Sequence, residues 1–335
     1  MNLSIYQDFI LLFVLYNVVL QESYTSIRRC STGVLFIFIF ILSLFVAYRP
    51  STLPDYINYY NFYYGIGTED RFERGIKVIK SISPKFTIFL LFSALFSITI
   101  KLHSIRRLSK YMLLSIISYM TTSFVVHDMI QIRVSIAIAV FWYSIQFLIE
   151  KKFIKYAFCV LLASFFHYSA LIMIVLPVFY KKTYNTFFWL GLVVISYGIS
   201  FLGINLLNLV ARFLPEKGYI LATISSHQES WVNVFGINQL LRLSLFIILS
   251  ICYKRIDTNM LVILKIFGIS VIMVPLFSSM PLISGRLSEF FGTTIAFLLP
   301  ELFSVFKNKA FSYWIFMVYI LGFIFINIIH TVYIW

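Results

Sequence analysis

The chain has 335 residues, of which 61% are hydrophobic and only 12% are charged. Soluble domains carry about 25% charged residues, and the mean hydropathy of this chain is +0.92. Too few polar groups exist to cover a water-facing surface, which excludes a soluble enzyme, a disordered protein and a secreted disulfide scaffold. The composition therefore predicts a protein of the lipid bilayer.

The formal net charge is +14, which in a soluble protein would suggest nucleic-acid binding. Here the basic residues lie in short tracts between apolar runs, such as 101–110 and 150–156. That placement is typical of membrane topology signals, and we expect no nucleic-acid partner. The cysteines show no CxxC spacing, so we expect no zinc site or disulfide framework. We expect no metal and no cofactor.

Apolar runs of the length of membrane spans follow one another along the chain. They cover approximately 3–20, 32–48, 86–100, 111–126, 129–149, 153–180, 187–205, 236–253, 259–280, 286–303 and 311–330. Backbone groups in lipid must be satisfied internally, so runs of this length are predicted to be helices. The expected fold is all-α: a single polytopic membrane domain over residues 1–335 with about 11–12 transmembrane helices.

The long run 153–180 allows two interpretations. Lysine pairs at 151–152 and 181–182 flank it, and His167 lies near its middle. A single tilted helix would place the lysine pairs on opposite sides of the membrane. A helical hairpin that turns near His167 would place them on the same side, which the preference of basic residues for the cytoplasm favours.

Cytoplasmic placement of the basic tracts, with Lys101 counted in a cytoplasmic loop, gives twelve crossings with both termini outside. Two long periplasmic loops result, at about 49–85 and 206–235. In the first loop, Pro50 and Pro54 mark a turn.

The loop 49–85 is predicted to contain two amphipathic helices at the membrane interface. Tyrosines recur at the spacing of one helical face, and two glycines end that helix: Tyr56, Tyr59, Tyr60, Tyr63, Tyr64, then Gly65 and Gly67. The second helix has Phe72, Ile76 and Ile79 on one face. The tyrosines suit an interfacial aromatic belt. The alternative is a stacking platform for sugar rings, with Asp55 and Asn58 binding hydroxyl groups.

Ionisable residues inside apolar runs mark candidate functional sites, because a charge in lipid is costly. Arg133 lies one turn into the run 129–149. Its anionic partner is either Asp128, as a structural ion pair, or a phosphate held by the guanidinium fork. His167 is either a buried core histidine or a group that transfers a proton or contacts a phosphate.

Three further arginines lie at the ends of apolar runs. Arg286 has Glu289 three residues later, a spacing that permits a helical ion pair. It is either a snorkelling residue or part of a site on the predicted outer side that it shares with Arg133. Arg242 and Arg49 are weaker candidates, because snorkelling to water explains a long basic side chain at the end of a span.

Four sequence elements resemble the EpsG/Wzy-type polysaccharide polymerase family. An Asp-Tyr-rich outer loop at 55–60 follows the second run, and a Phe-Glu-x-Gly element follows as 72-FERG-75. The block 132-IRVSIAIA-139 leads through a basic loop to 165-FFHYSAL-171, and 286-RLSEFF-291 precedes the last runs. The chain departs from the pattern at Val134, where the family often has glutamine, so that side-chain amide is missing.

The resemblance implies a GT-C-like membrane glycosyltransferase of the bacterial inner membrane. It would polymerise undecaprenyl-diphosphate-linked oligosaccharide donor and acceptor units at the periplasmic face into O-antigen or a related polysaccharide. The expected protein partners are a chain-length regulator and a flippase. The implied roles are diphosphate binding for Arg133 and Arg286, proton or phosphate contact for His167, and a base or hydroxyl contact for Asp55. Substrate contacts are expected from Tyr56, Tyr59, Tyr60, Glu73, Asp128 and Arg242.

A lipid-linked oligosaccharide flippase and a membrane O-acyltransferase are the alternatives. Flippases usually consist of two similar halves, and no internal repeat is evident in this sequence. The essential histidine of an acyltransferase would face a cytoplasmic acyl donor, whereas His167 is predicted to lie toward the outside.

Overall fold

The computed structural model of the protein describes residues 32–67, 72–204 and 232–333. Throughout these ranges the chain forms helices and loops and no β-strand, which confirms the predicted all-α fold. The first predicted run, 3–20, and most of the loop 206–235 lie outside the described residues. The chain divides into two compact units: Lys181–Tyr313 is one, and the residues before and after it form the other.

The helices follow one another in chain order with short connections. They are α1 Thr32–Ala47, α2 Tyr56–Tyr64, α3 Arg74–Ser81, α4 Phe86–Leu108, α5 Met112–Tyr119, α6 Ile132–Ile149, α7 Phe153–Phe166, α8 Thr186–Phe201, α9 Ile237–Ile251, α10 Thr258–Leu276, α11 Pro281–Gly292, α12 Ile295–Leu298, α13 Leu302–Val305 and α14 Lys309–Tyr333. A π-helix, Met120–Ile130, continues α5, and 3₁₀-helices cover Tyr168–Phe179, Tyr253–Arg255 and Leu299–Glu301.

Five helical segments are long and apolar enough to cross a membrane, counting the described residues alone. They are α4, the continuous segment Met112–Ile130, α6, α10 and Lys309–Asn327 of α14. Shorter apolar helices are Leu35–Ala47, α7, Tyr168–Phe179, α8 and α9. The chain is thus an all-α polytopic membrane protein, and the number of eleven to twelve crossings stays a prediction.

The run 153–180 forms a hairpin. Helix α7 ends at Phe166, and His167 adopts an extended conformation with φ −157° and ψ 115°. The following 3₁₀-helix folds back on α7: Tyr156 Oη donates to the carbonyl oxygen of Met173 at 2.6 Å. The rings of Phe153 and Tyr180, at the two ends of the run, are 5.3 Å apart. The predicted turn near His167 is confirmed.

Helices α2 and α3 of the loop 49–85 pack their apolar faces against the spans of the first unit. Phe72, Ile76 and Ile79 are all buried, as their spacing predicted. They join one core cluster with Tyr59, Phe62, Phe86, Phe89, Leu90, Ile132, Ile136 and Phe166. The Pro50 turn and the end of α2 at Gly65, with φ 73°, also follow the prediction. This packing fixes the loop over the start of α6 and the turn of the hairpin.

The second unit is built around α10, which packs against α8, α9 and α11. Helix α9 approaches α11 closely where Arg242 lies over Gly292, and a Cβ at that glycine would collide with the guanidinium group. The absence of a side chain at residue 292 is therefore what makes room for Arg242.

Candidate functional site

One buried carboxylate joins the two polar residues that the sequence singled out in the first unit. Arg133 Nη1 donates to Glu73 Oε2 at 2.9 Å, and His167 Nδ1 lies 3.1 Å from Glu73 Oε1. Only 5% of the Glu73 side chain and 9% of the His167 side chain are exposed, whereas 28% of Arg133 is. We refer to these three residues as the Glu73 cluster.

Each member of the Glu73 cluster stands at an interruption of helical structure. Glu73 precedes α3 with an extended backbone, φ −67° and ψ 157°. Arg133 lies in the first turn of α6, two residues after the non-helical Gln131. His167 is the extended residue at the turn of the hairpin. Three separate interruptions of helical structure therefore bring these three ionisable side chains together.

Aromatic rings hold the Glu73 cluster from one side. The guanidinium carbon of Arg133 lies 4.7 Å from the centre of the Phe72 ring, a cation–π contact. Tyr59 Oη accepts a hydrogen bond from the backbone N–H of Arg133 at 3.3 Å. Both rings belong to the core cluster, so the packing of α2 and α3 sets the position of Arg133.

The charges within the cluster support one another. Burial would raise the pKa of the Glu73 carboxyl group, but the hydrogen bond with His167 and the charge of Arg133 outweigh burial and lower that pKa. Glu73 is therefore ionised at neutral pH and balances the charge of Arg133. The described side chains offer no group of three or more His, Cys, Asp or Glu placed for a metal ion.

Asp128 is not the partner of Arg133, so the predicted alternative of an Asp128–Arg133 ion pair is wrong. The Asp128 carboxylate instead contacts Lys101 Nζ at 2.7 Å, and both side chains are fully buried. It also accepts hydrogen bonds from Ser97, Ser135 and Tyr119 at 2.6–2.8 Å. A carboxylate with four donors already in place is held as a structural group, and a direct contact with substrate would have to displace one of them.

The tyrosines of α2 differ in their exposure to solvent. Tyr59 is 2% exposed and faces the core, whereas Tyr60 is 37% exposed. The Tyr56 and Tyr60 rings are roughly parallel, with centres 6.4 Å apart. Tyr59 therefore cannot stack on a sugar without moving its neighbours, because it lies on the same side of α2 as the buried Phe62. Tyr56 and Tyr60 stay candidates for sugar contact.

Asp55 stands at the entrance of α2 in the left-handed region, with φ 60°. Aspartate tolerates this conformation better than most residues. Its Oδ1 accepts a hydrogen bond from Asn58 Nδ2 at 2.9 Å at an exposed position. This contact between the two residues was not predicted from the sequence, and the role of Asp55 toward a sugar stays a prediction.

The second unit holds the other two predicted arginines. Arg286 Nη1 donates to Glu289 Oε2 at 3.0 Å, which confirms the ion pair that their spacing permits. Arg242 Nη1, from α9, donates to the backbone oxygen of Ser288 at 3.4 Å. Arg242 therefore contacts α11, the helix that contains Arg286. The roles of Arg286 and Arg242 toward a substrate stay predictions.

The model of the EpsG family matches residues 33–334, nearly the whole chain. The chain belongs to the EpsG family. This is a family of polysaccharide-polymerase type, and the EpsG match covers every helix from α1 to α14. No curated protein and no solved structure matches the chain. The EpsG assignment makes this protein a polysaccharide-polymerase-like membrane protein.

Two features of this EpsG-family chain had no adequate signal in the sequence. Arg49, expected to snorkel to water, is only 4% exposed and lies beneath α2. Lys101, counted as a loop residue, lies inside α4 and is fully buried against Asp128. The exposure of Arg49 and Lys101 was predicted from their positions at the ends of apolar runs. Such positions give no information on which residues lie next to them in the folded protein.

Gly75 is the close-contact point between α3 and the hairpin, and its replacement by alanine is expected to damage the Glu73 cluster. A Cβ at residue 75 would lie 2.6 Å from Phe166 Cδ1 and 2.9 Å from Phe165 Cδ1. Phe166 directly precedes His167, so a shift of its ring moves the Glu73–His167 contact. We expect a loss of about 1–3 kcal/mol in stability and shorter polymer. The measurements are the unfolding temperature in detergent and the polymer length.

The matched control is Gly191→Ala in α8, where the new Cβ has no atom of the described residues within 4 Å beyond its chain neighbours and its own helix backbone. Alanine favours a helix over glycine by about 1 kcal/mol, so this variant should be as stable as the wild type or more so. Equal behaviour of the two alanine variants would contradict the role given to Gly75.

Proposed function

We propose that this protein is a membrane glycosyltransferase that joins undecaprenyl-diphosphate-linked oligosaccharide repeat units at the periplasmic face of the inner membrane. Its product would be O-antigen or a related surface polysaccharide. The observation that carries the proposal is the Glu73 cluster, in which a buried carboxylate contacts both Arg133 and His167. Membership of the EpsG family supports it.

The proposed reaction transfers the growing glycan from its lipid diphosphate to a hydroxyl group of the next repeat unit. The acceptor oxygen forms a bond to the anomeric carbon of the donor sugar, and the bond from that carbon to the diphosphate oxygen breaks. The hydroxyl proton passes to His167, and the lipid diphosphate leaves with the bonding electron pair. The sugar–phosphate bond itself is the activated donor, so no further co-reactant takes part.

Glu73 suits the role of orienting His167. If Nδ1–H donates to Glu73 Oε1, the neutral imidazole carries its lone pair on Nε2, which then accepts the hydroxyl proton. The ionised carboxylate also stabilises the imidazolium that forms. Glu73 thus acts in this proposal through His167, as a positioning residue.

Arg133 suits the stabilisation of the leaving group, because it is the most exposed member of the Glu73 cluster. A fixed positive charge at the place where negative charge develops lowers the barrier. Arg286 is proposed as a second diphosphate contact, and Asp55, Tyr56 and Tyr60 as contacts to the sugars. A flippase that supplies the units and a chain-length regulator are the proposed protein partners.

Deletion of the gene tests this function through the length distribution of the surface polysaccharide on a gel. We expect the ladder to collapse to a single-repeat band, because units are still exported and attached but are no longer joined. Wild-type gene on a plasmid should restore the ladder. The Arg107→Ala variant, which changes an exposed ion pair with Glu150, should restore it equally well.

Two other results would contradict the proposal. Loss of the single-repeat band as well would indicate that the units are no longer exported, which would favour the flippase. An unchanged ladder would favour a modifying enzyme, such as an O-acyltransferase.

A further inference from the structure

Arg49 carries a buried charge with unused hydrogen-bond donors. The residue lies just after the end of α1 and is only 4% exposed. Nη1 donates to the carbonyl oxygen of Met129 at 2.5 Å. Nε and Nη2 are buried and have no hydrogen-bond partner in the part of the chain that the structure describes. A buried cation with unsatisfied donors is costly and calls for a ligand or another explanation.

Two aromatic rings lie beside the guanidinium group of Arg49, and neither supplies a hydrogen-bond acceptor for Nε or Nη2. The Tyr56 and Tyr59 rings lie 5.7 Å and 5.5 Å from its guanidinium carbon. Cation–π contacts of this kind do not supply the hydrogen-bond acceptor that Nε and Nη2 lack. Burial lowers the pKa of Arg49 to about 10, against smaller opposing effects of Tyr59, Tyr56 and Asp55. No carboxylate in the described ranges forms an ion pair with it.

The two unused nitrogens form the side edge of the guanidinium group. Nε–H and Nη2–H point in parallel on that edge, whereas Nη1 lies on the opposite side and is already bound to Met129. Two parallel N–H bonds are the geometry that grips two oxygens of a phosphate. The unsatisfied pair therefore matches a bidentate oxyanion and not a single acceptor.

A second positive element begins at the same place. Helix α6 starts after Gln131, whose backbone is non-helical with φ −98° and ψ 66°. The N-terminal end of a helix carries partial positive charge and unpaired N–H groups. Tyr59 links the two elements, because its ring lies against Arg49 and its hydroxyl accepts from the Arg133 N–H.

We propose that the side edge of Arg49, together with the N-terminal end of α6, binds the diphosphate of the lipid-linked substrate. This inference rests on the proposed function and adds a substrate-binding residue to it. Among the described residues, Glu73 balances Arg133 and no carboxylate balances Arg49, so we assign that role to the diphosphate. Tyr56 is half-buried and Tyr59 is buried, so the phosphate would approach Arg49 on the side of Tyr56.

Binding of farnesyl diphosphate to the purified full-length protein in nanodiscs tests the inference. We expect the wild type to bind it and to bind farnesol much more weakly. Arg49→Gln should bind at least about tenfold more weakly, because it loses the hydrogen bonds from a charged group to the diphosphate. Arg107→Gln, at an exposed arginine, is the matched control and should bind like the wild type.

Equal affinity of Arg49→Gln and wild type, or no binding to the wild type, would overturn the inference. Displacement of farnesyl diphosphate by phosphatidylglycerol at equal concentration would also overturn it, because the site would then be one for ordinary lipid headgroups. If Arg49→Gln does not fold, the affinity of Arg49→Lys for farnesyl diphosphate tests the inference instead. That variant keeps the charge but lacks the side edge, so undiminished affinity would overturn the bidentate contact.

The binding test and the gel test separate the two proposals. Polymer loss on deletion, with farnesyl diphosphate binding that is independent of Arg49, overturns the subsite alone. Binding that depends on Arg49, with an unchanged ladder on deletion, overturns the polymerase function alone and leaves a diphosphate site to explain.

Discussion

Replacement of Arg133 by lysine is expected to abolish polymer formation nearly as completely as replacement by alanine. The guanidinium donates to Glu73 at 2.9 Å and lies over the Phe72 ring, and 28% of the Arg133 side chain stays exposed. Lysine supplies a point charge without a plane or a fork. We expect a loss of at least about 100-fold in rate, the usual cost of removing a donor that stabilises developing charge.

The measurement is the polysaccharide ladder in the deletion strain, with Arg133→Lys, Arg133→Ala and wild type expressed to equal protein levels. Arg107→Lys is the matched control, because Arg107 also pairs with a glutamate, Glu150, but 50% of its side chain is exposed. It should restore the ladder fully. A full ladder from Arg133→Lys at normal protein level would remove both the fork argument and the proposed leaving-group contact.

Local patterns in the sequence predicted the local structure of this protein correctly. The lysine pairs around 153–180 indicated a hairpin, and the chain turns at His167. The spacing of Phe72, Ile76 and Ile79, four residues and then three, indicated one buried face, and all three are buried. Periodicity and flanking charge report on one helix at a time, so they suffice for features of this kind.

Pairings between distant residues were not predictable in the same way. Glu73 is 60 residues from Arg133 and 94 from His167 along the chain. The Phe-Glu-x-Gly element marked Glu73 as a residue of interest, but only the packing of α3 onto the hairpin brings its carboxylate to both partners. Arg133 had a nearer acidic neighbour in Asp128, and proximity in sequence led to the wrong partner.

Basic residues near the ends of apolar runs were the second source of error. A tract such as 101–110 resembles a cytoplasmic loop, because it also contains Arg106, Arg107 and Lys110. Helix α4 continues through Leu108, however, and turns Lys101 toward Asp128. A lysine that reaches water and one that meets a buried carboxylate have the same sequence signature, since the difference lies in the neighbouring helix.

The Lys101–Asp128 pair gives the largest expected change in stability. Lys101 Nζ lies 2.7 Å from Asp128 Oδ2 and 2.7 Å from Ser135 Oγ, and neither charged side chain is exposed. Lys101→Met leaves the carboxylate buried without its cation, which typically costs about 3–5 kcal/mol. We expect a large fall in the unfolding temperature in detergent and a lower protein level in the membrane.

A double variant separates the charge from the packing. Lys101→Met combined with Asp128→Leu removes both charges, and replacing a buried pair by apolar groups is often neutral. The double variant should therefore be more stable than Lys101→Met alone. Lys155→Met, at an exposed lysine of α7, is the matched control and should behave like the wild type.

The double variant also tells whether the pair serves the site. Asp128 directly precedes Met129, whose carbonyl oxygen accepts from Arg49, and it contacts Ser135 of α6 beside Arg133. If the pair only stabilises the fold, a stable double variant makes normal polymer. If it also fixes the end of the π-helix against the start of α6, the double variant is stable but makes shorter polymer, and we expect this second result. A double variant as unstable as Lys101→Met would contradict the view that the uncompensated charge is the cause.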